Sequence, residues 1–109
     1  MEWVKTINNA IEYMENHLTD DITLGDIAES VYISTFHFQR AFSMMAGISP
    51  AEYLRKRRLS QAGAELANGN GRIIDIALKY EYEKEGVHYM DIYVHAASVT
   101  KVDTYSVFN

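Results

Sequence analysis

Residues 34–47, Ser34-Thr35-Phe36-His37-Phe38-Gln39-Arg40-Ala41-Phe42-Ser43-Met44-Met45-Ala46-Gly47, decide how this chain is read, because they fit one short helix with two working faces. Phe38, Phe42 and Met45 fall at i, i+4 and i+7 and make an apolar stripe suited to a core. Phe36, Gln39, Arg40 and Ser43 recur at the same interval on another face. That face joins an aromatic ring to a carboxamide and a guanidinium, the side chains able to bond bidentately to adenine and guanine edges in the major groove. Gln and Arg also populate ordinary solvated faces, so what flanks the helix decides between the two.

Immediately upstream, Thr23-Leu24-Gly25-Asp26 has the form of a capping box with aspartate in the glutamate place, and Leu24, Ile27, Ala28 and Val31 supply a stripe to bury. This predicts a helix over residues 24–30. Only Val31 to Ile33 then separate it from Ser34, a good N-cap. Helix, tight turn, helix is the helix-turn-helix arrangement, whose second helix enters the major groove. Further upstream, Trp3, Val4, Ile7, Ile11, Met14 and Leu18 recur every three or four residues and predict an amphipathic packing helix from Glu2 to His17. His17 at its end is a favourable charge for a helix C-terminus when protonated.

Downstream, Gly47 closes the reading helix, and Ser49-Pro50-Ala51-Glu52 opens another with a serine cap, proline at the first position and glutamate at the third. It should run over residues 50–67 and end at Asn68-Gly69. Arg55, Lys56, Arg57 and Arg58 cover most of its circumference. Either they contact phosphates or they serve solubility and salt bridges.

The chain has 109 residues, 48% of them hydrophobic, with no cysteine and one proline, which fits one mostly regular domain without disulfides or thiolate chemistry. It has no apolar run of membrane-spanning length, and its start lacks the order of a secretion signal, so a soluble, cytoplasmic monomer is expected. The formal net charge of -5 is unevenly placed. Residues 1–30 carry seven acids against one lysine, whereas residues 31–60 carry five basic residues against one glutamate. Positive charge therefore gathers on the proposed reading helix and just after it, the footprint that phosphate binding needs. There is no phosphate-binding glycine loop and no nucleophile-base pair, and the expectation is a non-enzymatic protein without cofactor or metal. His88, Asp91 and His95 would align on a helix as a metal trio, but no fourth ligand accompanies them.

Residues 73–82 repeat residues 24–33 at a constant offset of 49: Leu24 with Ile73, Asp26 with Asp75, Ile27 with Ile76, Ala28 with Ala77. The paired alanines suit a first helix that approaches its recognition helix closely. With IAESVYIS, FHFQRAF, GISPAEYLRKRRLSQA and IIDIALKYEY in this order, residues 3–82 resemble the DNA-binding domain of AraC/XylS-type bacterial transcription regulators. The resemblance implies an all-α, bipartite fold over residues 1–83, with a first motif at 23–47, a linker helix at 50–67 and the start of a second motif at 72–83. It implies base contacts by Phe36, Gln39 and Arg40, and backbone contacts by Ser34, Thr35, Ser43, Arg55, Lys56 and Arg58. Double-stranded DNA is the implied partner, with RNA polymerase as a further family partner. Tyr32 and Glu81 stand where the family has glycine, at a turn that would be left-handed. After Glu83 the expected second recognition helix is replaced by a divergent stretch, residues 84–109, with His88, Met90 and Ile92 in the aromatic, arginine and aromatic places. Its Val, Ile, Tyr and Phe content leaves a short hairpin, a degenerate helix and a mobile tail open, and an interaction-only module stands as the alternative function.

Overall fold

The computed structural model describes residues 2–69, 71–80 and 91–98, and these are helical wherever they are regular. The elements are α1 (Trp3–Asn16), α2 (Leu24–Ser30), α3 (Thr35–Ala46), α4 (Pro50–Ala67) and α5 (Ile73–Lys79), with a further helical run at residues 91–98 that we call α6. Two compact units divide the chain at Arg57 and Arg58, and α4 contributes residues to both.

In the first unit, local chemistry fixes the helix starts. The Glu2 carboxylate accepts from the Val4 amide at 3.0 Å and caps α1. At α2 the capping box is complete: Thr23 Oγ1 accepts from the Asp26 amide at 3.1 Å, and Asp26 Oδ2 accepts from the Thr23 amide at 2.9 Å. Packed together, α1, α2 and α3 enclose Ile7, Ala10, Met14, Ile27, Ala28, Phe38 and Phe42. Phe42 meets Tyr53 of α4 edge-on, with centroids 5.7 Å apart. Either Phe38 or Phe42, wholly buried, should cost ~3–5 kcal/mol if cut to alanine.

Three stripe residues do not go inside. Trp3 is 39%, Val4 57% and Met45 46% exposed. Trp3 and Val4 lie in the first turn of α1, and Met45 in the last turn of α3, where neighbouring helices cover less of the circumference. Ala10, too small to stand out in the periodicity, takes a fully buried place instead.

The turn between α2 and α3 is a Schellman cap. Ile33 N–H donates to Ala28 O at 3.2 Å, and Tyr32 N–H donates to Glu29 O at 3.0 Å. The residue at the left-handed position of this motif is Tyr32, with φ 63, where glycine is the usual occupant. Its ring gains nothing by packing, being 93% exposed. The matching position in the repeat, Glu81, lies outside the described residues.

In the second unit, α5 buries Ile76 and Ala77 as α2 buries Ile27 and Ala28, and both helices span seven residues, so the 49-residue repeat is structural. Tyr80 is buried at the end of α5, and its hydroxyl donates to Glu65 of α4 at 2.5 Å. Lys79 donates to the same oxygen at 2.7 Å. Burial pushes the Glu65 carboxyl up, but these two donors outweigh it and hold it below its ordinary range. Burial and then the Glu65 bond push the Tyr80 hydroxyl up to about 12.

Of the alternatives left open for the tail, residues 91–98 take the helix, burying Ile92 and Ala96 at i and i+4. α6 crosses α4 so closely at Gly63 that a Cβ built there would sit 2.8 Å from His95 Cβ and 3.2 Å from the Ala96 amide nitrogen. Residues 99–109 lie outside the described residues, as does His88.

Candidate nucleic-acid interface

Helix α3 begins at Ser34, whose hydroxyl oxygen accepts from the His37 amide at 3.2 Å, and ends at Gly47, left-handed at φ 80. With Phe38 and Phe42 pinned in the core, the helical period turns the opposite arc outward. Phe36, Gln39 and Arg40 are all exposed there, Phe36 at 63%. The Arg40 guanidinium lies 5.7 Å from the centroid of the Phe36 ring, a cation-π contact that orders two long side chains on the surface at once. No carboxylate pairs with Arg40 among the described residues. Thr35 is exposed at the first turn, and Ser43 is half-buried one turn beyond Gln39.

The basic run on α4 is parcelled out by the helix. Arg57 turns toward α1 and makes a forked contact with Glu15, Nη2 to Oε1 at 2.8 Å and Nε to Oε2 at 3.0 Å. Hydrogen bonding to Glu15 raises the Arg57 guanidinium above its ordinary value, and burial followed by the Glu15 charge raises the neighbouring Tyr53 hydroxyl. Arg57 is thus a structural tie between α1 and α4. Lys56 lies 3.6 Å from Glu52 on the solvent side. Arg55 is exposed, whereas Arg58 is half-buried and belongs to the second unit. Ser49 caps α4, accepting from the Glu52 amide at 3.1 Å.

An open groove of about 410 Å³ runs beside the exposed arc of α3, lined by Trp3 of α1 and by Phe36, His37, Arg40, Ala41, Met44 and Met45. Sequence periodicity missed this groove, because it placed Trp3 and Met45 in the core. It also passed over His37, whose Nδ1 lies 2.8 Å from Ser34 Oγ and whose ring meets Phe36 edge-on at 5.7 Å. The signal was available in the Ser-x-x-His spacing of a first helical turn. Asp91 and His95 share α6, but no group of three potential metal ligands occurs among the described residues. Among the same residues, no helix is long and apolar enough to cross a membrane.

The model of the helix-turn-helix domain family matches residues 27–89. The helix-turn-helix transcriptional regulator YbfP of Bacillus subtilis, named as uncharacterized, is 41% identical over 85 residues, which are 78% of this chain and 29% of YbfP. The transcriptional activator AarP of Providencia stuartii is 37% identical over 79 residues, 72% of this chain and 58% of AarP. The multiple antibiotic resistance protein MarA of Salmonella typhimurium is 25% identical over 103 residues, 89% of this chain and 81% of MarA. The chain thus spans less than two thirds of YbfP and of AarP.

Proposed function

Because this chain belongs to the AraC/XylS-type helix-turn-helix family of bacterial transcription regulators, we propose that it docks a regulator on double-stranded DNA through the exposed arc of α3. Phe36, Gln39 and Arg40 meet base edges. Ser34, Thr35 and Ser43 and the basic residues Arg55, Lys56 and Arg58 serve the sugar-phosphate backbone. The observation that carries the reading is the Phe36–Gln39–Arg40 arc itself: it is exposed, free of carboxylates and braced by the Arg40-Phe36 contact at 5.7 Å. A guanidinium held ready for bidentate bonding loses less side-chain freedom on meeting guanine. Isolated, the chain acts as a cytoplasmic monomer without catalytic chemistry or cofactor, and contact with RNA polymerase follows as the family's route from DNA binding to regulation.

Fluorescence-anisotropy titration of the chain against mixed duplex DNA at low salt tests this. Submicromolar, salt-sensitive binding is expected. Arg40→Ala should cost ~1–3 kcal/mol and relax preference at one base pair, whereas Arg55→Ala should weaken all sequences alike and lower the salt slope by about one. Absence of binding at tens of micromolar, or an Arg40→Ala variant unchanged in affinity and preference, would overturn the reading in favour of a protein-interaction module.

A further inference from the structure

We infer that His37 is a further DNA-contact residue, donating from Nε2 to a backbone phosphate on the α1 side of α3, and that Ser34 acts through it as a positioning residue. The inference rests on α3 being the reading helix, and it starts from the count of protons on one hydroxyl.

Ser34 Oγ accepts the His37 backbone N–H at 3.2 Å and lies 2.8 Å from His37 Nδ1. A serine hydroxyl carries a single hydrogen. Given to Nδ1, that hydrogen makes Nδ1 the acceptor and places the ring hydrogen on Nε2, the tautomer that a donor at Nε2 requires. Nε2 is on the other edge of the ring, in an exposed residue. The ring is braced from a second side by the edge contact with Phe36 at 5.7 Å. Held at both places in that tautomer, His37 presents one N–H donor. With its hydrogen given to Nδ1, the Ser34 hydroxyl serves the sugar-phosphate backbone through His37.

The helical period says where that donor sits. With Phe38 and Phe42 inward, the outward arc centres on Phe36 and Arg40. Gln39 and Ser43 lie toward one side, and His37 and Met44 toward the other, along the groove that Trp3 completes. A helix seated in a major groove has a phosphate wall on each flank, and its N-terminal turn enters deepest. His37 belongs to that turn and faces the second wall. Apolar Trp3 and Met44 beside it suit the sugar faces between phosphates. This arrangement gives the interface a neutral donor to set beside its guanidinium, and a neutral donor leaves a distinct mark: it bonds phosphate without displacing a counterion.

The test uses the full chain with duplex DNA followed by anisotropy and by the fluorescence of Trp3, the one tryptophan of the chain. His37→Leu should bind about tenfold more weakly to every sequence, the scale of a hydrogen bond to a charged group, with an unchanged slope of affinity against salt. His37→Gln, which keeps an N–H donor of similar reach, should recover most of the loss. Ser34→Ala should weaken binding in the wild-type background and add nothing in His37→Leu. DNA should change the Trp3 emission. An unchanged affinity in His37→Leu, while Arg40→Ala is impaired, would remove His37 from the interface and leave the role of α3 standing. A salt slope lowered by about one in His37→Leu would overturn the neutral tautomer. If His37→Leu and Arg40→Ala are both silent, α3 is not the reading helix and the proposed function falls with the inference.

Discussion

The left-handed tyrosine at the end of α2 sets up a substitution whose sign runs against the usual rule. Tyr32 sits at the Schellman position with φ 63 and 93% of its surface exposed. A non-glycine side chain in this region costs roughly 1–2 kcal/mol. Glycine would remove that cost while adding unfolded-state entropy worth roughly 0.5–1 kcal/mol. The exposed ring takes almost no packing with it when it goes. Tyr32→Gly should therefore be stabilising by about 0 to 1.5 kcal/mol, and each kcal/mol should raise the melting midpoint by roughly 4–8 °C for a domain of this size. Tyr32→Ala, which keeps the strain and loses only the ring, should stay within about 0.5 kcal/mol of the parent. Urea unfolding followed by circular dichroism measures both, and an unchanged slope with a higher midpoint is the expected signature. A Tyr32→Gly variant less stable than the parent by more than about 1 kcal/mol would refute the reasoning, because it would mean that the ring is held by contacts outweighing the backbone strain.

Breaking the forked tie between α1 and α4 with Arg57→Gln or Glu15→Gln should cost about 1–2 kcal/mol each, discounted for side chains that are a third exposed, and a double-mutant cycle should show the two losses to be mostly shared. Additive losses would dissolve the pair. Gly63→Ala should destabilise the second unit by ~1–3 kcal/mol, since its Cβ would meet His95 and the α6 backbone; native-like thermal unfolding of this variant would show that α6 is not seated there. The Tyr80 hydroxyl, raised from 10.0 to about 12, contributes stability that is whole below its ordinary value and is lost as pH rises through about 12. That loss should amount to about 2–3 kcal/mol in denaturant titrations across this alkaline window and should vanish in Tyr80→Phe. The Glu65 carboxyl, held low, acts in the opposite sense: its contribution is present above the ordinary carboxylate range and lost as pH falls through its folded value. Hydroxyl-radical footprinting should protect one short patch, because the sequence of the second half has Met90 where the family register has arginine and adds the negative charges of Glu81, Glu83, Glu85 and Asp91, which oppose phosphate; two patches a helical turn apart would show a second reading element.

What could be read from the sequence was what neighbouring residues settle among themselves. Thr23 with Asp26, Ser49 with Glu52, and Gly47 in the left-handed region are short-range events, and the starts of α2 and α4 and the end of α3 follow from them. The 3.6-residue period likewise found Ile7, Met14, Ile27, Phe38 and Phe42. It failed at Trp3, Val4 and Met45, because a period defines a stripe and does not say how far along the helix a neighbour covers it. Arg57 could be separated from Arg55, Lys56 and Arg58 only by its partner on α1, 42 residues earlier. For α6 the β-branched and aromatic composition left hairpin, helix and mobile tail open, and only burial of Ile92 and Ala96 against the unit distinguishes the helix. Of the proposed reading face, Phe36, Gln39 and Arg40 emerged from the pattern, while the proposal of His37 needed the hydrogen-bond geometry of Ser34.

Glycines that are indistinguishable in the sequence will be policed by mutation in different ways. Any missense change in a glycine codon adds a Cβ. At Gly47 and Gly69 that Cβ meets no atom within 4 Å, and only the backbone turn resists it, with φ values of 80 and 71. Asparagine should be forgiven there before any other residue. At Gly63 the obstacle is matter rather than torsion: a side-chain carbon and two backbone atoms of α6 stand within 3.3 Å of the new atom. Only glycine at residue 95 would remove the first of these, and no substitution removes the other two. A saturation scan of the three codons should therefore rank residues by torsional preference at Gly47 and Gly69, and by bulk at Gly63, where alanine heads a column in which nothing is neutral.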